Sequence, residues 1–198
     1  MIIIGDVISI DRNAGMITTK DGNIRANSPN NVLMAFKSDD QLSIYLKHNE
    51  FSQEHELIKD IKIGNTHFKK GELPSNFDSV VKVYFESVLK VAFSNQAMVD
   101  GMETFFSERT YNPVVEYMEE AAEEWDGRQR IDRMFQVYLG ADDIELISKI
   151  ARMWLVCAVA KVYDPYTKFD YVLDLVGGQG VGKTSLLQKL GGDWYTDA

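Results

Sequence analysis

One stretch limits this chain more than any other. Gly177-Gly178-Gln179-Gly180-Val181-Gly182-Lys183-Thr184 satisfies G-x-x-x-x-G-K-[ST] at every fixed position. Before it, Tyr171–Val176 is a short apolar run with β-branched content bounded by glycine, the pattern of a central strand. After it, Lys183 to Leu190 has amphipathic helical spacing. Strand, glycine-rich loop and helix in that order bind phosphate for stated reasons. Glycines let the backbone turn tightly and present N–H groups to phosphate oxygens. The helix that follows directs its positive end at the same anion. Lys183 is spaced to reach the β- and γ-phosphates, and the Thr184 hydroxyl to complete the shell of a Mg²⁺ ion. The expected nucleotide-binding set is therefore Gly177, Gly178, Gln179, Gly180, Val181, Gly182, Lys183, Thr184 and Ser185, with ATP and Mg²⁺ as cofactors. A plain glycine-rich turn between strand and helix is the competing reading, and it gives Lys183 no task.

Composition narrows the class. A chain of 198 residues holds one full domain, or a small domain and part of another. The 45% hydrophobic content, with 26% charged and 11% aromatic residues, describes a globular protein and not a disordered one. A net charge of −9 argues against gripping DNA over the whole surface, although a local basic channel is compatible with it. The single cysteine, Cys157, falls in an apolar helix and reads as a core thiol. It allows no internal disulfide and no zinc site, which suits a reducing cytoplasm. Met1–Ile10 has no basic segment and meets Asp6 too early for a signal peptide, and no apolar run approaches the ~20 residues of a membrane span.

Periodicity organises the chain into four expected regions: a β arm or meander over 1–27, a small helix with a β-hairpin over 28–75, a helical domain over 76–166, and the nucleotide-binding start over 167–198. In the first, Ile2, Ile4, Ile8 and Ile10 alternate ahead of turn signals at Asn13-Ala14-Gly15 and Asp21-Gly22-Asn23. Ser28-Pro29 opens a helix, as N-cap and first helical residue, with Val32, Leu33 and Phe36 on its apolar face. Ile44–Lys47 and Glu56–Lys62 read as strands. Asp78 caps a helix whose apolar residues are Val80, Val81, Tyr84, Phe85, Val88 and Leu89. Ser94-Asn95 and Asn112-Pro113 start two more, and Ile144–Val162 is a long helix with a wide apolar stripe that requires a packing partner. Glu116, Glu119, Glu120, Glu123 and Glu124, with Asp126, form an acidic cluster that reads as a solvated face. His48, His55 and His67 show no ligand spacing and read as surface or loop residues.

Only fourteen residues follow Thr184. Within them there is no room for a neighbouring strand, an acidic metal-ordering residue or an arginine finger, the groups that make hydrolysis efficient. The expectation is a fragment, or a chain whose exposed strand edge another chain covers.

From about Ala26 onward the sequence resembles the virulence-associated protein E family of phages, prophages and phage-derived islands, whose members are similar to superfamily-3-type replicative helicases. The residues carrying the resemblance are Asn112-Pro113-Val114, Trp125-Asp126-Gly127, Arg130-Ile131-Asp132, Tyr138-Leu139-Gly140, Trp154, Ala158-Val159-Ala160, Lys168–Leu173, the glycine-rich loop, and Gly191–Asp197. The resemblance implies a helical domain ahead of an AAA+-like ATPase core that assembles as a ring on DNA, with replication proteins as further partners and no membrane. It gives Lys183 and Thr184 the phosphate and Mg²⁺ roles, and Gly177, Gly180 and Gly182 the loop roles. It also implies that the chain stops just after the first ATPase helix, leaving no catalytic residue within it.

Beside the resemblance, Trp125-Asp126-Gly127 reads as a tight turn between helices, and Trp125 and Trp154 as packing anchors. Arg128, Arg130 and Arg133 form the densest basic group, either partners of Glu123 and Glu124 or a DNA or subunit contact. The expected fold class is mainly α with small β-hairpins (α+β), followed by the first strand–loop–helix unit of an AAA+-like α/β core. The expected function is the N-terminal part of a phage-type ATP-dependent replicative DNA helicase. Two rivals stay open: a non-catalytic protein that joins or blocks a replication complex, and a nucleotide-dependent kinase or switch.

Overall fold

Helices form here where apolar residues recur every three or four positions, and a proline, serine or aspartate marks the start of several of them. The computed structural model of the chain describes residues 15–197, so most of the arm expected over 1–27 lies outside the described residues. The chain divides into two compact units, one running to Pro113 and one from Val114.

In the first unit, helix α1 (Pro29–Ser38) starts with proline inside its first turn, although the Ser28 side chain makes no capping bond. Val32, Ala35 and Phe36 are fully buried. Asp39 then ends α1 and caps α2 (Asp40–Tyr45), its Oδ1 accepting from the N–H groups of Gln41 and Leu42 at 3.0 Å each. Its other oxygen accepts from the Tyr84 hydroxyl at 2.7 Å, and burial together with that bond pushes the Tyr84 pKa upward. Helix α3 (Phe77–Leu89) buries Phe77, Val81, Phe85 and Leu89 at an i, i+4 spacing. Asp78 stands in its first turn, not at the cap. Helix α4 (Asn95–Ser107) is capped by Ser94, whose hydroxyl accepts from Ala97 N–H at 3.2 Å. Phe36, Phe77, Phe85, Phe93, Phe105 and Phe106 are all fully buried, and together they form the centre of this core.

Helix α1 crosses α4 at Gly101, where an added Cβ would stand 2.6 Å from Val32 Cβ and 2.8 Å from the Pro29 carbonyl oxygen. Buried Asn31 ties the preceding segment to α1. Its Oδ1 accepts from Ile17 N–H at 2.6 Å, and its amide donates to the carbonyls of Ile17 (2.8 Å) and Arg25 (3.1 Å). That segment reverses at Gly22 (φ 80°) to form a bridge between Thr18 and Ile24.

A four-stranded sheet runs in the order β5-β2-β1-β6, with β1 (Leu46–Asn49) antiparallel to β2 (Glu54–Leu57) and parallel to β6 (Thr110–Tyr111), and β5 (Gly71–Glu72) on the far edge of β2. A separate hairpin pairs β3 (Ile61–Ile63) with β4 (Thr66–Phe68). The strands expected at Ile44–Lys47 and Glu56–Lys62 are thus shifted. Asp39 captures the chain as far as Tyr45 in α2, and a turn divides Glu56–Lys62 between β2 and β3.

The second unit holds α5 (Pro113–Glu123), a 3-10 turn (Ile131–Arg133), α6 (Met134–Leu139), α7 (Glu145–Tyr163), α8 (Lys183–Gly191) and a closing 3-10 turn (Gly192–Trp194). The five glutamates of α5 and its end are exposed, as expected of a solvated face. Its buried apolar cluster is small: Met134, Phe135 and Ala151, with Ile147, Ile150, Leu155, Leu173, Leu175 and Leu186 packed around them. Two expectations are corrected here. The stripe of α7 buries only Ala151 fully, and Cys157 is half-buried, not a core thiol. Tyr171–Val176 is not a buried strand. No strand pairs with it among the described residues, and Val172 and Val176 are 91% and 88% exposed.

Candidate functional site

The glycine-rich loop is held at both ends by one cluster. Leu173 and Leu175 before it, and Leu186 after it, all pack against Met134, Phe135 and Ala151. The alternation of Leu173 and Leu175 with Val172, Asp174 and Val176 turns two leucines inward even though no sheet forms. Lys183 begins α8 directly after the loop, and Leu186 N–H donates to the Gly182 carbonyl at 2.9 Å to close the first helical turn.

Two loop glycines are needed for their backbone. Gly180 (φ 82°) and Gly182 (φ 91°) sit in the left-handed region, which strains any residue with a Cβ. Gly177 is different: a Cβ there would meet Val181 and Lys183 Nζ only at 3.7 and 3.9 Å, ordinary contact distances. What Gly177 and Gly178 give the loop is their carbonyls, which accept from Lys183 Nζ at 2.7 and 2.8 Å. The ammonium therefore lies across the loop mouth, with Thr184 and Ser185 exposed in the first turn of the helix. Gln179 and Val181 form the outer bend. These residues fit an anionic ligand: a cation over a loop of glycines, and a nine-residue helix whose free N–H groups begin at the same point. Among the described residues no three His, Cys, Asp or Glu side chains are grouped to hold a metal by themselves.

The arginines form a second arrangement. Asp126 accepts from Arg128 N–H at 3.0 Å, Gly127 takes φ 77°, and the expected tight turn is present. Arg130 binds Asp126 through both terminal nitrogens, at 2.7 and 2.6 Å. Those bonds, together with the Arg128 N–H, hold the Asp126 carboxyl down at about 2. Arg128 lies 3.6 Å from Asp126, and Arg133 3.6 Å from Asp143. The partners are thus aspartates, not Glu123 and Glu124, because the turn folds Asp126 back over its own arginines. Arg152 of α7, unremarked in the sequence, pairs with Asp132; only the fold brings these two together across twenty residues. Trp125 is no packing anchor. It is 61% exposed, and its indole N–H donates to the Arg128 carbonyl at 3.2 Å. Trp154 is half-buried.

Two of the three histidines are placed differently from expectation, whereas His67 is exposed as expected. His48 and His55 lie opposite one another on β1 and β2, with their Nδ1 atoms 3.1 Å apart, and His55 stacks on Phe106 at 3.8 Å between ring centres.

Comparison with known families decides how far the second unit is identified. Residues 118–198 match the virulence-associated protein E-like domain. This matched region contains the arginine turn, α6, α7, the glycine-rich loop and α8, and it agrees with the part of the resemblance read from motifs beyond residue 118, not with its reach back to Ala26. No curated protein matches the chain. No helix among the described residues is long and apolar enough to cross a membrane.

Proposed function

We propose that the second unit carries the nucleotide-binding element of a phage-type replicative DNA helicase, with Mg·ATP bound at Gly177–Ser185. The single observation that carries this reading is Lys183. Its ammonium lies across a loop whose two left-handed glycines leave the backbone free to turn N–H groups toward an anion. On binding, Lys183 exchanges the carbonyls of Gly177 and Gly178 for phosphate oxygens, and the Thr184 hydroxyl orients toward the Mg²⁺ that accompanies the nucleotide. Mg²⁺ neutralises phosphate charge when bound; the chain's own part is to hold and orient the polyphosphate.

DNA as partner, and assembly into a ring, belong to the same proposal. For a DNA contact, Arg128 and Arg133 are better placed than Arg130, because their carboxylate contacts are loose and Arg130 is committed to Asp126 by two short bonds. Calorimetric titration of Mg·ATP into the chain and into Lys183→Ala tests the core of the reading. Saturable binding that is lost in Lys183→Ala, with an unchanged melting curve, supports it. Equal affinity in the two proteins refutes it.

A further inference from the structure

Beside the glycine-rich loop, between α6 and α8, lies an open cleft of about 550 Å³. Its walls are mostly apolar: Met134 and Tyr138 from α6, Leu186 and Leu190 from α8. Gly182 lies on its edge, so the cleft begins where the phosphate loop ends. A Cβ at Gly182 would come to 3.9 Å from the Tyr138 carbonyl oxygen, which shows how near α6 stands to the loop. Tyr138 is 61% exposed and shares the outer side of a short helix with Val137 (64% exposed), while Met134 and Phe135 of the same helix are buried. An aromatic ring held open beside a candidate polyphosphate site has the chemistry of a stacking surface.

Resting on the phosphate-binding reading above, we infer that this cleft is the base slot of the nucleotide, with Tyr138 stacking on the base and Met134 and Leu186 enclosing it. The geometry adds a specificity. Of the side chains that line the cleft, the polar ones besides Tyr138 are Ser185 and Lys189, and both are exposed. Among the side chains that line the cleft none is a buried donor or acceptor that could read the Watson–Crick edge of a base. A site without such groups cannot reject a wrong hydrogen-bonding pattern, whereas a site built on them discriminates by orders of magnitude. The slot therefore selects by ring area: purine over pyrimidine nucleotides, with adenine and guanine accepted alike.

The test uses the full chain and five probes in the presence of Mg²⁺: ATP, GTP, CTP, UTP and inorganic tripolyphosphate. ATP and GTP are expected to bind within about threefold of each other, and both about tenfold or more tighter than tripolyphosphate, as one stacked base provides. Tyr138→Ala is expected to bring ATP down to the tripolyphosphate level while leaving tripolyphosphate itself unchanged. Tyr138→Phe, which keeps the ring, is expected to behave as the native chain, and this separates stacking from a folding defect. Tripolyphosphate binding that depends on Lys183, with ATP no tighter than tripolyphosphate, overturns the base slot and leaves the phosphate site standing. ATP favoured over GTP by a hundredfold overturns the specificity. If no probe binds at all, the phosphate-site reading fails and the slot fails with it.

Discussion

Replacing Gly101 by alanine tests the closest approach in the first unit. Alanine is the better helix former by about 1 kcal/mol, so propensity alone predicts stabilisation. The structure predicts the reverse. The new methyl would lie 2.6 and 2.7 Å from Cβ and Cγ1 of Val32 and 2.8 Å from the Pro29 carbonyl, all inside the closest distance carbon atoms tolerate. Val32 is fully buried and Pro29 contributes backbone, so neither gives way by a rotamer change. Overpacking of this kind costs about 1–3 kcal/mol, and the upper part of that range applies here. Net of propensity, Gly101→Ala should destabilise the unit by about 2 kcal/mol, roughly 10 °C in melting temperature for a domain of this size.

The assay has a built-in control. Trp125, Trp154 and Trp194 all lie beyond Pro113, so tryptophan fluorescence follows the second unit. Methyl resonances of Val32 and Val81 follow the first. The methyl-detected transition should fall and the fluorescence transition should not. Adding Val32→Ala removes one of the three short contacts, that with Cγ1 at 2.7 Å, and gives the remaining Val32 Cβ room to shift, so the double variant should be less unstable than the sum of the singles. A neutral or stabilising Gly101→Ala would refute the close crossing of α1 and α4.

Two other predictions concern groups whose roles only the fold reveals. Asn31→Ala removes three hydrogen bonds and strands the Ile17 N–H, so it should cost about 2–4 kcal/mol by methyl-detected denaturation; a loss under 1 kcal/mol would mean that 15–27 is not held by this side chain. His55 has its pKa lowered by burial first and by His48 second, against the opposing pull of Glu103, Glu54 and Asp78. The unfolded chain then takes up a proton near 6.5 that the folded chain accepts only at lower pH. Stability present above pH 6.5 is lost as pH falls below it. The denaturation midpoint should drop between pH 7.5 and 5.5 more in the native chain than in His55→Phe; equal drops would contradict the reading.

The fold was legible where pattern and local chemistry agree. Val81, Phe85 and Leu89 face the core because their spacing requires it, and Ser94 caps α4 because a hydroxyl there meets a free amide. Asp39 shows where local reading stops. Its carboxylate both ends α1 and starts α2, and no propensity for Ile44 or Tyr45 competes with two capping bonds and a half-buried tyrosine partner. Tyr171–Val176 and α7 show another limit. An apolar period says which face needs covering; among the described residues the small Met134–Phe135–Ala151 cluster covers only part of it. For the candidate site, the loop could be read residue by residue from its motif. Tyr138 could not, because its place beside Gly182 depends on how α6 meets α8 across more than forty residues of sequence. Nor could Arg152, since Asp132 lies twenty positions away and the pair exists only once the 3-10 turn docks on α7.

The central claim is that Gly177–Ser185 binds polyphosphate through its backbone and Lys183. The most direct measurement is a titration of the isotopically labelled chain with Mg·ATP, and separately with magnesium tripolyphosphate, followed by amide NMR. The account predicts that the largest shifts from both ligands fall on the amides of Gly178 through Ser185, and that Lys183→Ala abolishes them. Saturable shifts that leave these amides unmoved, or that persist in Lys183→Ala, would contradict it.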